Sequence, residues 1–320
     1  MAFGRLLGVA TLSAAMGISQ AHAWGPSGHM LVAAVAWEKM DQSTRDRAGE
    51  LLKLNPMYSR LTSDAPSGQE AEYAFILASI WPDVIKYDDG YTEKDDRINE
   101  PTATQNIGYA DHLRHRYWHY KDLPFSTDGT PTEQPPEPNA ETQILVFRKA
   151  LGSSSSSDDV KSYDMVWLLH LVGDVHQPLH ATSRFTANDH TNNGPGDSGG
   201  TEVKVCAERS CPRGRGTITL HVFWDGIPDS GTWTSMRDII TAAESLADAS
   251  DAEARVSSPR LWLEESEQIA EQSVYAGPIK DGLGIYKITQ AYRENAKEIA
   301  DKRIALAGAR LARLLDDALR

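Results

Sequence analysis

Cysteine, positive charge and long apolar runs are scarce in this chain of 320 residues, and the sequon N-x-[ST] is absent. The only cysteines are Cys206 and Cys211. A zinc knuckle needs a second Cys/His pair nearby at ligand spacing, and none follows. In an exported chain the two read instead as one disulfide closing a hairpin tip around AERS. The missing sequon favours a bacterial periplasmic or secreted protein over a eukaryotic secreted one. Lys and Arg number 32 against 45 Asp and Glu, a net charge of −13. Such a surface repels nucleic acids and anionic membranes unless a local positive centre reverses the field. That excludes a basic-groove binder, but not a site whose positive charge comes from metal ions.

The longest apolar stretch near the start, LLGVATLSAAMGIS, is too short and too weakly apolar to span a membrane. With Arg5 before it and Ala21-His22-Ala23 after it, residues 1–23 have the form of a cleaved signal peptide. Removing them leaves Trp24 to Arg320 with a net charge of −14 and no membrane anchor. The length suits one large domain, 24–320, although it also admits two.

No internal repeat is evident. Helical periodicity predicts helices over Met30–Leu54 with a break at Asp41 and Gln42, Glu70–Ile80, Glu141–Leu151, Tyr163–Gln177, Trp233–Ala247, Pro259–Ala276 and Lys287 to the end. Asn139 suits an N-cap. Gly152 with five serines and two aspartates reads as a flexible loop, and Pro124–Pro138 as irregular. Val203–Val205 and Gly216–Leu220 alternate like strands around the cysteines. The expected fold class is mainly α, a single helical domain with one small β hairpin.

Several polar residues sit where a core should be. His170 and Asp174 are four apart on one helical face, among Val166, Trp167, Leu169 and Leu171. Burying them unpartnered would cost a few kcal/mol, about 1–3 by mutational measures. Alone, the pair could simply satisfy itself within the core. Pro178 ends the helix, and the turn after it could bring back His180. LHVFWDG repeats the spacing with His221 and Asp225, WHYKD carries His119 and Asp122 beside Tyr120, and ASIWPDVIK carries Asp83 and Lys86. Taken singly, Asp83 reads as a turn cap and Lys86 as a solvated lysine. Taken together, they are the ligand types that zinc prefers, and more than one tetrahedral ion needs. His112 and His115 lie on a polar stretch and His190 in a Gly/Asn loop, so they are weaker candidates. His176 is expected to face away from Asp174 and to support a ligand by a hydrogen bond.

In order along the chain stand W-G-x-x-G-H (Trp24–His29), W-P-D-x-x-K (Trp81–Lys86), H-Y-x-D (His119–Asp122), H-x3-D-x5-H (His170–His180) and H-x3-D-G (His221–Gly226). These five motifs resemble the zinc-dependent, single-strand-specific nucleases of the fungal S-one/P-one type, over nearly all of residues 24–320. The resemblance implies a helical fold with three zinc ions. Asp83, His119, His170 and Asp174 would hold one ion, and His180, His221 and Asp225 a second. His29, Asp174 as a bridge, and the backbone amine and carbonyl of Trp24 would hold the third. It also implies zinc-assisted phosphodiester hydrolysis of single-stranded DNA and RNA to 5′-phosphate products, with nucleotides as further substrates and no protein partner. Asp83 and Lys86 would serve the reaction, Lys86 neutralising charge at the phosphate. Tyr120 would stack a base, Asp122 would read its edge, and 3′-nucleotidase activity is a further expectation. One departure concerns base choice: GDSGGT carries Thr201 where the family usually has asparagine. Two other readings remain open here, a trinuclear-zinc phospholipase C and a non-catalytic periplasmic zinc-binding protein.

Overall fold

The computed structural model describes residues 24–189, 196–207, 210–230, 235–282 and 284–320. The expected signal peptide 1–23, His190 and the expected helix start at Trp233 lie outside the described residues. The fold is mainly helical. None of the described helices is long and apolar enough to cross a membrane.

The central helix, Asp158–Asp174, organises the rest. It starts earlier than its apolar period suggested, because Ser157 caps it and Asp158 and Asp159 occupy the first turn, where the helix dipole favours anions. Two aspartates assigned to a flexible loop are therefore helical. Every residue from Ser162 to Asp174 is buried, as expected of a helix apolar on all sides. Ala140–Leu151 packs along it, starting from Asn139, whose side chain accepts from the backbone N–H of Glu141 and Thr142 in a capping box. The first helix, Pro26–Lys39, opens with proline at its first position, where the missing N–H is not needed. The expected break falls at Met40 and Asp41, and Gln42 begins the next helix, Gln42–Leu52.

The terminal helix, Gln290–Leu319, lies against the first one. They approach closely because Gly308 has no side chain: a Cβ there would sit 2.5 Å from Cβ of Val35 and 2.9 Å from the Val32 carbonyl. Among the described residues six buried tryptophans fill the interior; Trp81 meets Tyr109, Tyr163 and Trp167 edge to face, and Trp167 meets Trp118 and Tyr163 in the same way.

The single expected hairpin is an undercount. β3 (Lys204–Cys206) and β4 (Ile218–Thr219) do pair antiparallel, but β5 (Ile285–Lys287) adds a parallel strand to β3. A second, two-stranded parallel sheet joins β1 (Leu123–Ser126) to β2 (Thr182–Phe185), so Pro124 to Ser126 are not irregular. Four-residue strands whose partners lie tens of residues away leave no local signal. Cys206 and Cys211 form the expected disulfide, Cα to Cα 5.8 Å.

Gly308→Ala tests the helix contact. The added methyl gains up to about 1 kcal/mol of helix propensity. Overpacking against Val35 is expected to cost more, about 1–3 kcal/mol, and to lower the denaturation midpoint. An unchanged or raised midpoint would show that the two helices can separate without loss.

Candidate metal centre

His170 and Asp174 lie one turn apart on the central helix, both fully buried. Nδ1 of His170 donates to the Ser79 carbonyl at 2.7 Å, which turns its Nε2 toward Asp174. Asp174 faces two ways. Its Oδ2 is 3.1 Å from Nδ1 of His119 and 3.4 Å from Nε2 of His170, while Oδ1 is 3.3 Å from Nε2 of His29. The His29 ring stacks on His170 with centroids 3.8 Å apart. Gly173 permits this, since a Cβ there would lie 2.9 Å from Nδ1 of His29. Trp24 is fully buried beside the start of the first helix, and the next N–H, of Gly25, donates to the Asp225 carbonyl at 2.8 Å.

Asp83 sits in the short helix Trp81–Val84, and Lys86 in the turn Ile85–Tyr87 that follows. Lys86 is buried, not a solvated surface lysine. Its Nζ lies 2.6 Å from Oδ1 of Asp83 and 3.4 Å from Nδ1 of His119. His119 ends the turn Arg116–His119, and its Nδ1 comes within 3.0 Å of Nε2 of His170.

A neighbouring group comprises His180, from the turn Pro178–His180, with His221 and Asp225 from the short helix Leu220–Asp225. The two Nε2 atoms are 3.0 Å apart, and Nε2 of His221 is 3.5 Å from Oδ2 of Asp225. Backbone carbonyls again orient the rings, His119 accepting from Nδ1 of His180 and Gly199 from Nδ1 of His221. Gly199 (φ 63°) must be glycine, because a Cβ would lie 2.5 Å from the Leu179 carbonyl. The GDSGG loop thus holds a candidate ligand in place, a role its motif did not disclose. Gln177, also unforeseen, donates to Oδ1 of Asp225 at 2.6 Å.

Three sets of potential ligand atoms lie within 4.8 Å of one another: His29, Asp83 and His170; His119, His170 and Asp174; His180, His221 and Asp225. Both ring nitrogens of His29, Nε2 of His119, Oδ1 of Asp174 and Oδ2 of Asp225 are buried with no hydrogen-bond partner. Such orphans are costly in an apolar interior unless a cation satisfies them. Burial, with the neighbouring imidazoles and Lys86, holds His29 and His119 well below the usual histidine value. Burial pushes Asp174 and Asp225 well above the usual carboxylate value, with Asp83 adding to the rise at Asp174. Neutral imidazoles facing carboxylates form the donor set that divalent cations such as zinc prefer, so these residues fit the metal the sequence implied.

The remaining candidates lie at the edge. Leu123 and Lys121 donate backbone N–H groups to Ala181 and His180, so β1–β2 pairing carries Tyr120 and Asp122 next to His180. Tyr120 is exposed at 42%, enough for a ring to stack on it. Asp122 is half-buried, and burial together with Asp197 raises its carboxyl well above the usual value. His176 does not support a ligand. Its Nδ1 donates to the Val172 carbonyl, and its Nε2 accepts from Arg310 of the terminal helix at 2.9 Å. His115, set aside on a polar stretch, is fully buried.

Comparison with known proteins bears on this geometry directly. The family description "S1/P1 Nuclease" matches residues 24–320. The chain belongs to the S1/P1 nuclease family. It is also similar to Endonuclease 2 of Arabidopsis thaliana, 23% identical over 162 residues. That match covers 50% of this chain and 46% of the relative, so the chain spans about half the length of the curated relative it matches. The mainly helical fold is consistent with that membership.

The raised Asp174 and Asp225 values predict a pH dependence. Carboxyls with raised folded values stabilise the metal-free protein in acid, and that contribution is lost as pH climbs above about 4. A bound divalent cation reverses the preference, and the imidazoles must also be neutral to bind it. Zinc added to chelated protein is therefore expected to raise Tm more at about pH 8 than at about pH 5. Equal shifts at both values would contradict the metal-site geometry.

Proposed function

We propose that this protein is a zinc-dependent endonuclease that hydrolyses single-stranded DNA and RNA to 5′-phosphate products, acting in the periplasm or outside the cell after loss of residues 1–23. The observation that carries the reading is Asp174, buried, with one oxygen toward His29 and the other toward His119 and His170. A carboxylate so placed suits a bridge between two ions. Asp83, His119, His170 and Asp174 would hold one zinc, His180, His221 and Asp225 a second, and His29, Asp174 and the backbone amine and carbonyl of Trp24 a third. Bound zinc would supply positive charge for the phosphate and lower the pKa of a water to about 7.

The chain's own residues supply the rest. Lys86, fixed against Asp83 and beside His119, offers a buried cation to a phosphate oxygen as charge develops there. Tyr120 gives one base a stacking face that tolerates any sequence, and only an unstacked strand can present a base to it. Asp122, half-buried beside it, offers a carboxyl to a base edge. Thr201 offers a hydroxyl where the family usually has an amide, so base choice and any 3′-nucleotidase activity need not follow the family's usual pattern. The disulfide and the absence of a spanning helix among the described residues are compatible with an exported protein.

Cleavage of single-stranded DNA, duplex DNA and phosphatidylcholine vesicles by the zinc-loaded protein tests the reading. Single-strand cleavage leaving 5′-phosphate ends is expected. Lipid turnover alone would assign the site to a phospholipase, and zinc binding without hydrolysis to a storage protein. Lys86→Met is expected to lower kcat about 10²-fold to 10³-fold with its metal retained; a loss below about tenfold would remove Lys86 from the reaction. A protein with one extra residue before Trp24 has no free amine at that position. It is expected to lose one zinc and most activity, and full activity would refute the Trp24 assignment.

A further inference from the structure

Four residues before His119, the chain makes an unusual turn. His115 has φ 45° and ψ 47°, a left-handed conformation that residues with a side chain rarely adopt. Asp96 holds that turn in place by accepting from the backbone N–H of both Arg114 (3.0 Å) and His115 (2.7 Å). The imidazole itself is fully buried between two carboxylates. Its Nε2 lies 2.9 Å from Oδ2 of Asp111, and its Nδ1 is 3.4 Å from Oδ1 of Asp96 and 3.0 Å from the Tyr117 hydroxyl. Burial opposes charge on this ring, but the two carboxylates outweigh it and raise the imidazole above its ordinary value. The ring lies flat on Trp118, centroids 3.5 Å apart and 3° from parallel, and Trp118 packs edge to face on Trp167.

The short turn that begins here supplies two things to the metal centre. At its end, His119 points Nδ1 at His170 and Asp174. The same residue's carbonyl accepts from Nδ1 of His180, which fixes the ring of a ligand in the neighbouring group. Trp167, on the central helix one turn before His170, touches the rings of both His115 and His119. A left-handed residue gripped on three sides is therefore the fixed start of a turn whose last residue serves two metal groups.

We propose that His115, clamped between Asp96 and Asp111, is a positioning residue for the metal-ligating imidazoles of His119 and His180. The proposal rests on the zinc reading above and adds a residue outside every motif used there. A purely structural staple for the loop before it would affect folding and leave metal affinity alone.

The test is zinc affinity of His115→Gln, measured by competition with a chelating dye well below the melting temperature, beside wild type. Gln keeps a donor for Asp111 but loses the ring. A fall in affinity of about tenfold or more at more than one zinc is expected, while Thr289→Ala, which removes the cap of the terminal helix, keeps wild-type affinity despite its lower Tm. Should His115→Gln not fold, Asp111→Asn removes half of the clamp and is expected to weaken zinc in the same way. Unchanged affinity in a folded clamp variant overturns the proposal while leaving the metal reading intact. Wild-type protein that binds no zinc overturns both.

Discussion

The whole arrangement turns on the cost of keeping ionisable groups out of water. Asp174 is sealed at the end of a helix buried from Ser162 onward, with Asp225, His29 and His119 buried around it. A domain's total stability is about 5–15 kcal/mol, and uncompensated burial of several such groups would consume it. Protons can relieve part of the cost, by neutralising the carboxylates at the expense of their ability to bind a cation. Metal ions relieve it without that loss. The centre is thus both the fold's greatest liability in the absence of a cation and, in the proposed holoprotein, a source of its stability.

Much of the surrounding structure reduces the freedom of these groups. Carbonyls of Ser79, His119 and Gly199 each accept a hydrogen bond from one imidazole nitrogen and so aim the other. Gly173 and Gly199 exist where any Cβ would collide with a ring or a carbonyl at the centre. Gln177 holds one oxygen of Asp225 and the N–H of Leu179, one residue before His180. Further out, His176 and Arg310 tie the end of the central helix to the terminal one, and Arg310 and Arg303 both pair with Glu265. Rigidity reaches the candidate ligands through hydrogen bonds from turns around the central helix and through close-packed glycines on that helix and in the GDSGG loop.

What could be read beforehand followed from local geometry. His170 with Asp174 and His221 with Asp225 share helical faces, and the i, i+4 spacing carries that fact in the sequence itself. The long helices were legible for the same reason, and Asn139 for its capping chemistry. Asp83, Lys86 and His119 lie on single turns with no period, so only their motifs marked them. His115 was hidden because HLRHR reads as a polar stretch; a left-handed turn, invisible in residue types, fixes its ring in the interior. His176 looked like support for a ligand because Asp174 is near in sequence, but its partner is 134 residues away. The parallel pairs β1–β2 and β3–β5 escaped notice on the same ground, since their stability comes from partners remote along the chain.

Elemental analysis of the purified protein beginning at Trp24 bears most directly on the central claim. The proposed function predicts three zinc ions per chain. A chain that is folded, stable and hydrolytically competent with no bound metal would contradict it.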